Sequence, residues 1–235
     1  MPDQTKSLRT NELDGFDPLG EDALDETGLS QVFQDASRRV VHNILKSYTG
    51  YFDVFSELLQ NSLDAVQQKH RNNQEFQPKL WLDIDIQNSR IRLVDNGGGM
   101  SAHTFKYCLR PNVSFKTGEK LRGQKGVGAT FLAYGFSFIR VQSKTPTSEL
   151  AATLRQGRQW AEDASGTIPR PKLQALEYSV PELVHESSGT AIEIICGKSA
   201  GERPSDLGWM GAQTAEQWLG PVGKRHVTRF ADSVG

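Results

Sequence analysis

The chain lacks a charge of dominant sign: 27 Lys and Arg stand against 28 Asp and Glu, a formal net charge of −1. No global field therefore draws it to nucleic acid or to a membrane surface. No run approaches the ~20 apolar residues of a membrane span, and Met1 to Thr10 has no apolar core flanked by a cleavage site. A cytoplasmic protein with no membrane partner is expected. Cysteine is almost absent. Cys108 and Cys196 lie far apart and form no CxxC pair, which argues against a zinc knuckle or a disulfide framework and makes both of them small buried apolar residues. Standard nucleotide signatures are missing too. Gly197-Lys198-Ser199 has Ile192 where a P-loop needs its first glycine, and Gly126-x-Gly128 has Phe131 where a dinucleotide fingerprint needs its third. There is no Gly-x-Ser-x-Gly elbow, and the five histidines show no metal-ligand spacing.

The 235 residues suit one domain with tails. Residues 1–28 hold eight acids and two bases with few large apolar groups, which predicts a flexible acidic arm. From Ser30 to Lys46, Val32, Phe33, Ala36, Val40, Ile44 and Leu45 recur at near-helical spacing behind Ser30 as a cap. A second helix is predicted from Asp53 to His70, with Phe55, Leu59, Leu63 and Val66 turned inward. Leu80–Ile86 and Ile91–Val94 flank the polar turn Asn88-Ser89 and read as a β-hairpin. A short helix at 102–109, a helix opened by Gly123, Gly126 and Gly128, and strands at 136–143, 150–154 and 190–195 complete the pattern. Helices followed by a largely antiparallel sheet predict a two-layer α/β sandwich over residues 29–198. Residues 199–235, with one helical stretch at Ala212–Leu219, read as a linker or the start of a further domain.

Three clusters carry chemical potential. On the second helix Glu57, Gln60, Asn61, Asp64 and Gln68 share one face. A carboxylate there suits proton abstraction from water, and an amide oxygen one turn on suits a hard cation such as Mg²⁺. The same stripe also fits a merely solvated face. Asp95 ends a strand before Gly97-Gly98-Gly99, offering an acceptor to an exocyclic amine beside backbone that a flat ring can approach; a capped glycine turn has the same composition. Gly123 to Gly128 opens a helix next to a basic stretch, with five cationic side chains and one Glu between Arg110 and Lys125. Such a loop presents amides and a helix N-terminus to an anion.

Together these residues resemble a known set. Glu57-Leu58-Leu59-Gln60-Asn61-Ser62-Leu63-Asp64-Ala65 resembles the N box of the GHKL ATPase superfamily. Asp95-Asn96-Gly97-Gly98-Gly99-Met100 resembles its first glycine box, and Gly123 to Gly128 its second. Gly189-Thr190 at the head of an apolar strand resembles its final nucleotide-contacting motif. The wording is nearest to the ATP-driven heat-shock chaperones, MutL, MORC and type II topoisomerase branch.

The resemblance implies a Bergerat fold, with helices on one face of a mixed, largely antiparallel sheet and ATP between the layers. It implies Glu57 as general base and Asn61 as the Mg²⁺ ligand, with Asp64 supporting the pocket. Asp95 would receive the adenine amino group, and Thr190 would share a water beside it. Gly97 and Gly99 would admit the adenine, Met100 and Val127 would contact nucleotide within their boxes, and Gly126 and Gly128 would offer amides to phosphate. Lys116 and Lys125, in an implied lid, would meet the γ-phosphate.

The expected function is Mg²⁺-dependent ATP hydrolysis by a conformational switch that dimerises with ATP and drives further domains or subunits of a larger machine. A non-hydrolysing nucleotide-binding regulator and a histidine-kinase-type phosphotransferase are the alternatives. The kinase is disfavoured because residues 30–50 are too short for a dimerising hairpin and because kinases usually lack a base where Glu57 stands. No segment before Gly235 resembles the downstream domain that supplies a lysine in dimeric relatives, so that group is expected from further chain or another polypeptide. Nucleic acid is not indicated by charge, although residues 29–235 alone carry 25 bases against 20 acids.

Overall fold

The computed structural model describes residues 13–19, 30–48, 53–85, 88, 90–111 and 127–195. Twelve elements follow in chain order: α1 (Ser30–Lys46), α2 (Asp53–Asn72), β1 (Leu80–Asp85), β2 (Arg90–Asp95), α3 (Ala102–Tyr107), α4 (Val127–Tyr134), β3 (Phe138–Thr145), β4 (Ser148–Arg155), α5 (Gly157–Glu162), β5 (Leu173–Ala175), α6 (Pro181–Val184) and β6 (Gly189–Ile195). The strands form one six-stranded sheet in the order β1-β2-β6-β3-β4-β5. Every ladder among them is antiparallel. The two-layer α/β sandwich is therefore present, while the mixed pairing expected of the sheet is not found among the described residues.

Strand alternation decides what each face does. On β2 the buried residues Ile91 and Leu93 join the main core, and their partners across the ladder are Ile194 and Ile192 of β6. Helices α1, α2 and α4 cover that face through Val41, Val54, Phe55, Leu58, Leu132 and Tyr134. The opposite face presents Arg90, Arg92, Glu193 and Arg140, which pair with one another and with Asp83, Asp85 and Glu182. Val94 and Ala191, on that same side, meet Val180 and Leu183 in a second small cluster under α6. No helix among the described residues is long and apolar enough to cross a membrane.

The helical stripes differ in detail from their sequence reading. On α1, Val41 is buried and Val40 lies exposed; on α2, Leu58 is fully buried and Leu63 only half-buried. Both shifts are one-position rotations of the inward face. Three short elements, α5, β5 and α6, have no counterpart in the sequence reading, because three to six residues are too few to display a period.

The expectation of a flexible arm does not hold for residues 13–19. Leu13 and Leu19 are 3% and 7% exposed within the main core. The Gly15 amide donates to the Leu173 carbonyl at 2.8 Å and the Leu173 amide to the Phe16 carbonyl at 2.7 Å, so this stretch is tied to the outer edge of β5. Asp17 pairs with Arg170, and Phe16 meets the Tyr107 ring edge-on at 5.4 Å. Acid counting missed this because two leucines and one phenylalanine anchor the segment, and its Asp17 is itself held by Arg170. The rest of 1–28, the Ala212–Leu219 helix and residues 199–235 lie outside the described residues. Leu13→Ala should cost about 2–5 kcal/mol in urea unfolding, the usual range for truncating a core leucine. A loss below ~0.5 kcal/mol would show that the segment contributes nothing to the core.

Candidate nucleotide site

Helix α2 forms one long wall of the site. Its residues Ser62, Ala65 and Lys69 stand at i, i+3 and i+7, one face that runs along the Asp95-Asn96-Gly97 turn. The Ser62 hydroxyl hydrogen-bonds the Asp95 carboxylate. A Cβ on Gly97 would lie 2.7 Å from the Ala65 Cβ, so the turn can press against α2 only as glycine. Lys69 Nζ donates to the Asn96 carbonyl at 2.8 Å and to the Gly97 carbonyl at 3.3 Å.

The sheet supplies the opposite wall. Asp95 pairs in register with Thr190 of β6, which pairs in turn with Ser143 of β3. Parity puts all three on the helix-facing side, at the end of the strands where the glycine turn begins. The Met100 amide donates to Ser143 Oγ at 2.6 Å and pins the far side of that turn. Gly99 adopts φ +69°, and a Cβ there would stand 2.1 Å from the Lys144 carbonyl oxygen. Gly98 faces open space. Gly97 and Gly99 are thus required first by close approach to α2 and β3, a reason the adenine argument did not contain.

Asp95 is 3% exposed. Burial raises its carboxyl to about 7, against the Gly97 amide, the Ser62 hydroxyl, the Thr190 amide and the Lys69 ammonium, all of which favour the ionised form. Its Oδ1 accepts from the Gly97 amide at 2.9 Å. Ionised, it presents acceptor oxygens only, which suits an amine donor.

The other end of α2 carries Glu57. Its Oε1 accepts from the Tyr48 hydroxyl at 2.9 Å, and the Tyr48 ring stacks on Phe131 of α4 at 4.0 Å between centroids. A Cβ on Gly128 would fall 1.8 Å from Glu57 Oε2, so the carboxylate occupies the space that this glycine leaves. Burial, and then Glu57, push the Tyr48 phenol well above its ordinary range, so it stays a donor to that carboxylate. Between the two ends Asn61 is half-buried and Asp64 is buried. From Glu57 to Ala65 the helix rises about 12 Å.

The structure thus brings Asp95, Gly97, Gly99, Met100 and Thr190 together at one end and Glu57, Val127 and Gly128 at the other, with Asn61 and Asp64 on the helix that joins them. Lys116, Lys125 and Gly126 lie outside the described residues. Sequence reasoning missed Tyr48, Ser62, Lys69, Ser143 and Ser188. Ser62 and Lys69 share the Ala65 face and were legible from spacing; the others are joined only by tertiary contact.

No group of three or more His, Cys, Asp or Glu able to hold a metal occurs among the described residues. Mg²⁺ takes few protein oxygens and completes its shell from phosphate and water. Asn61 offers one such hard oxygen.

With this geometry in view, the comparisons assign the class. The profile of the family described as histidine kinase-, DNA gyrase B- and HSP90-like ATPases matches residues 48–190, more than half of the chain. The chain belongs to this family. It is 26% identical over 184 residues to the chaperone protein HtpG of Helicobacter hepaticus, a match that takes in 69% of the chain. The chain spans about a quarter of that relative, 27% of its length. Among solved structures it is similar to the ATPase and transducer domains of DNA topoisomerase II from Balamuthia mandrillaris, with a TM-score of 0.44 and 17% identity, covering 69% of this chain and 39% of that one.

The raised Asp95 carboxyl has a consequence for stability. In the unfolded chain the group titrates near 3.8 and in the fold near 7. Its contribution is therefore fully present below the unfolded value and is lost as pH rises through the folded one. Asp95→Asn should gain stability relative to wild type between pH 4 and 8, by on the order of a few kcal/mol. Paired urea titrations across that range test it, and parallel curves would show that Asp95 does not titrate there.

Proposed function

We propose that the chain binds ATP with Mg²⁺ in the space between α2 and the sheet and hydrolyses it, the base lying at Asp95 and the γ-phosphate near Glu57. The observation that supports this reading most is that one rigid helix touches both glycine motifs, Ala65 against Gly97 and Glu57 against Gly128. An elongated ligand with a flat base at one end and phosphates at the other suits such a wall.

Each residue then has a role set by its chemistry. Asp95 accepts from the exocyclic amine, and Thr190, its partner across the ladder, shares the adjoining water. Gly97, Gly99 and Met100 form the floor under the base. Gly126 and Gly128, with Val127 at the start of α4, turn amides toward the phosphates. Lys116 and Lys125 are proposed to neutralise the γ-phosphate, and Asp64 to support the pocket beside the metal ligand. Asn61 would hold Mg²⁺, which supplies charge neutralisation of the phosphates. Glu57 takes a proton from the attacking water; the Tyr48 hydrogen bond and the room at Gly128 fix which way its carboxylate points.

Hydrolysis in this reading drives a conformational and dimerisation switch, with further domains or subunits as its load. Residues 199–235 are proposed as a linker to that load or the start of a further domain.

Glu57→Ala should leave affinity for a non-hydrolysable ATP analogue within about twofold and lower turnover by about 10²–10⁴. Asn61→Ala should instead weaken the Mg²⁺-dependent part of binding. Calorimetry with and without Mg²⁺, beside phosphate release, separates the two. Equal loss of binding and turnover in Glu57→Ala would make Glu57 a structural residue and remove it as base.

A further inference from the structure

Lys69 belongs to none of the motifs quoted above, yet its ammonium makes three polar contacts at the base end. Its ammonium donates to the carbonyls of Asn96 and Gly97 and, at 2.8 Å, to Ser188 Oγ. Ser188 passes its own proton to the Gly97 carbonyl at 2.6 Å. The Phe76 ring lies 4.3 Å from the ammonium. Three segments therefore meet on one cation: the last turns of α2, the turn after β2 and the approach to β6.

A tether alone would need less. The Asn96 side chain already ties the turn outward: its Oδ1 accepts from the Lys79 amide at 2.8 Å, and its Nδ2 donates to the Gln77 carbonyl at 3.0 Å and to Glu186 at 3.2 Å. Lys69 adds positive charge on the inner side. It is near enough to Asp95 for each group to act on the other electrostatically. Contact with the terminal phosphate is excluded by distance, since Lys69 stands twelve residues, about 18 Å of helix, beyond Glu57.

We propose that Lys69 is a positioning residue for base recognition, fixing the Asp95-Gly97 turn through two carbonyls and presenting the Asp95 carboxylate as an acceptor for an adenine amine. The inference rests on the ATP reading given above. Guanine carries a carbonyl oxygen where adenine carries its amine, so an ionised Asp95 repels it, and a protonated Asp95 would relax that choice. Lys69 thereby sets preference for adenine over guanine as well as affinity. The groups around this pair are Ser62 and Lys69 from α2, Thr190 from β6, Ser188 before it, and Glu186 with its partner Lys79 at 2.7 Å. Burial lowers the Lys69 ammonium from its ordinary range, while Glu186 and Asp95 favour its charged form. Removing that cation makes the carboxylate easier to protonate.

The test uses the full chain, with non-hydrolysable analogues of ATP and GTP titrated by calorimetry between pH 6 and 8.5. Lys69→Met should weaken the ATP analogue about tenfold near pH 7.5, shrink the ATP-to-GTP preference, and move the acid limb of ATP affinity up by about one pH unit. Phosphate titration is common to all variants and cancels in the comparison. Lys69→Arg should keep the acid limb in place while losing several-fold in affinity, because a planar fork cannot reproduce the three-way contact. On an Asp95→Asn background Lys69→Met should no longer shift the limb. A folded Lys69→Met with an unmoved limb and equal losses for both analogues would reduce Lys69 to a tether and overturn the proposal. Should Lys69→Met fail to fold, wild-type affinity in Lys69→Arg overturns it instead. Wild-type protein that binds neither analogue at any pH overturns the ATP reading and this inference together, whereas binding by wild type and Lys69→Met alike overturns this inference alone.

Discussion

The site depends on how closely α2 approaches the two glycine motifs. Gly97 admits the Ala65 methyl at one end and Gly128 admits the Glu57 carboxylate at the other. A side chain at either glycine would have to displace α2 or its own loop. Because the helix is rigid and rises about 1.5 Å per residue, fixing these two contacts also fixes the distance between them. Everything polar in the site is measured from that wall: Ser62 reaches Asp95 and Lys69 reaches the turn beyond it because both share the Ala65 face.

Burying Asp95 against this wall is expensive, and the surroundings offset the cost only partly. A carboxylate removed from water loses several kcal/mol of hydration unless donors replace it. Two backbone amides, one hydroxyl and a neighbouring ammonium are provided, and the carboxyl still titrates near 7. A group held so close to its titration point is costly in a resting structure, and it becomes useful where a ligand brings the missing donor. The charges on the opposite face of the sheet behave differently. Arg90, Arg92 and Arg140 meet Asp83, Glu182 and Glu193 directly, in pairs that form without any ligand, although the Nε of each arginine and Glu182 Oε2 stay buried without a partner among the described residues.

Much of this was legible in the sequence. The bounds of α1, α2 and the β1-β2 hairpin followed from period and turn chemistry, and the glycine motifs marked both ends of the site. What escaped had weak local signals. Leu13 and Leu19 are too widely spaced to display a period, and they dock because β5 offers an unpaired edge at Leu173. Tyr48 and Ser188 matter only through residues far along the chain. Lys69 was visible as the continuation of the Ser62-Ala65 face, but chemistry was assigned to the Glu57-Asn61-Asp64 side and packing to Phe55, Leu59, Leu63 and Val66, which gave Lys69 no role. Gly97 and Gly99 were singled out as glycines that admit a flat ring, and the structure shows each of them in close contact with α2 or β3.

The two ends of the site are held by different kinds of bond. At the base end, Asp95, Thr190 and Ser143 sit on neighbouring strands whose backbone ladders set their spacing. Moving any of them means breaking sheet hydrogen bonds. At the Glu57 end, α2 and α4 meet through side chains: the Tyr48 hydroxyl, the Tyr48-Phe131 stack and the gap at Gly128. Contacts of that kind rearrange at lower cost than a ladder. The base end is therefore the stiffer of the two, and among the described residues the contacts between α2 and α4 at Glu57 are the ones that rearrange more readily.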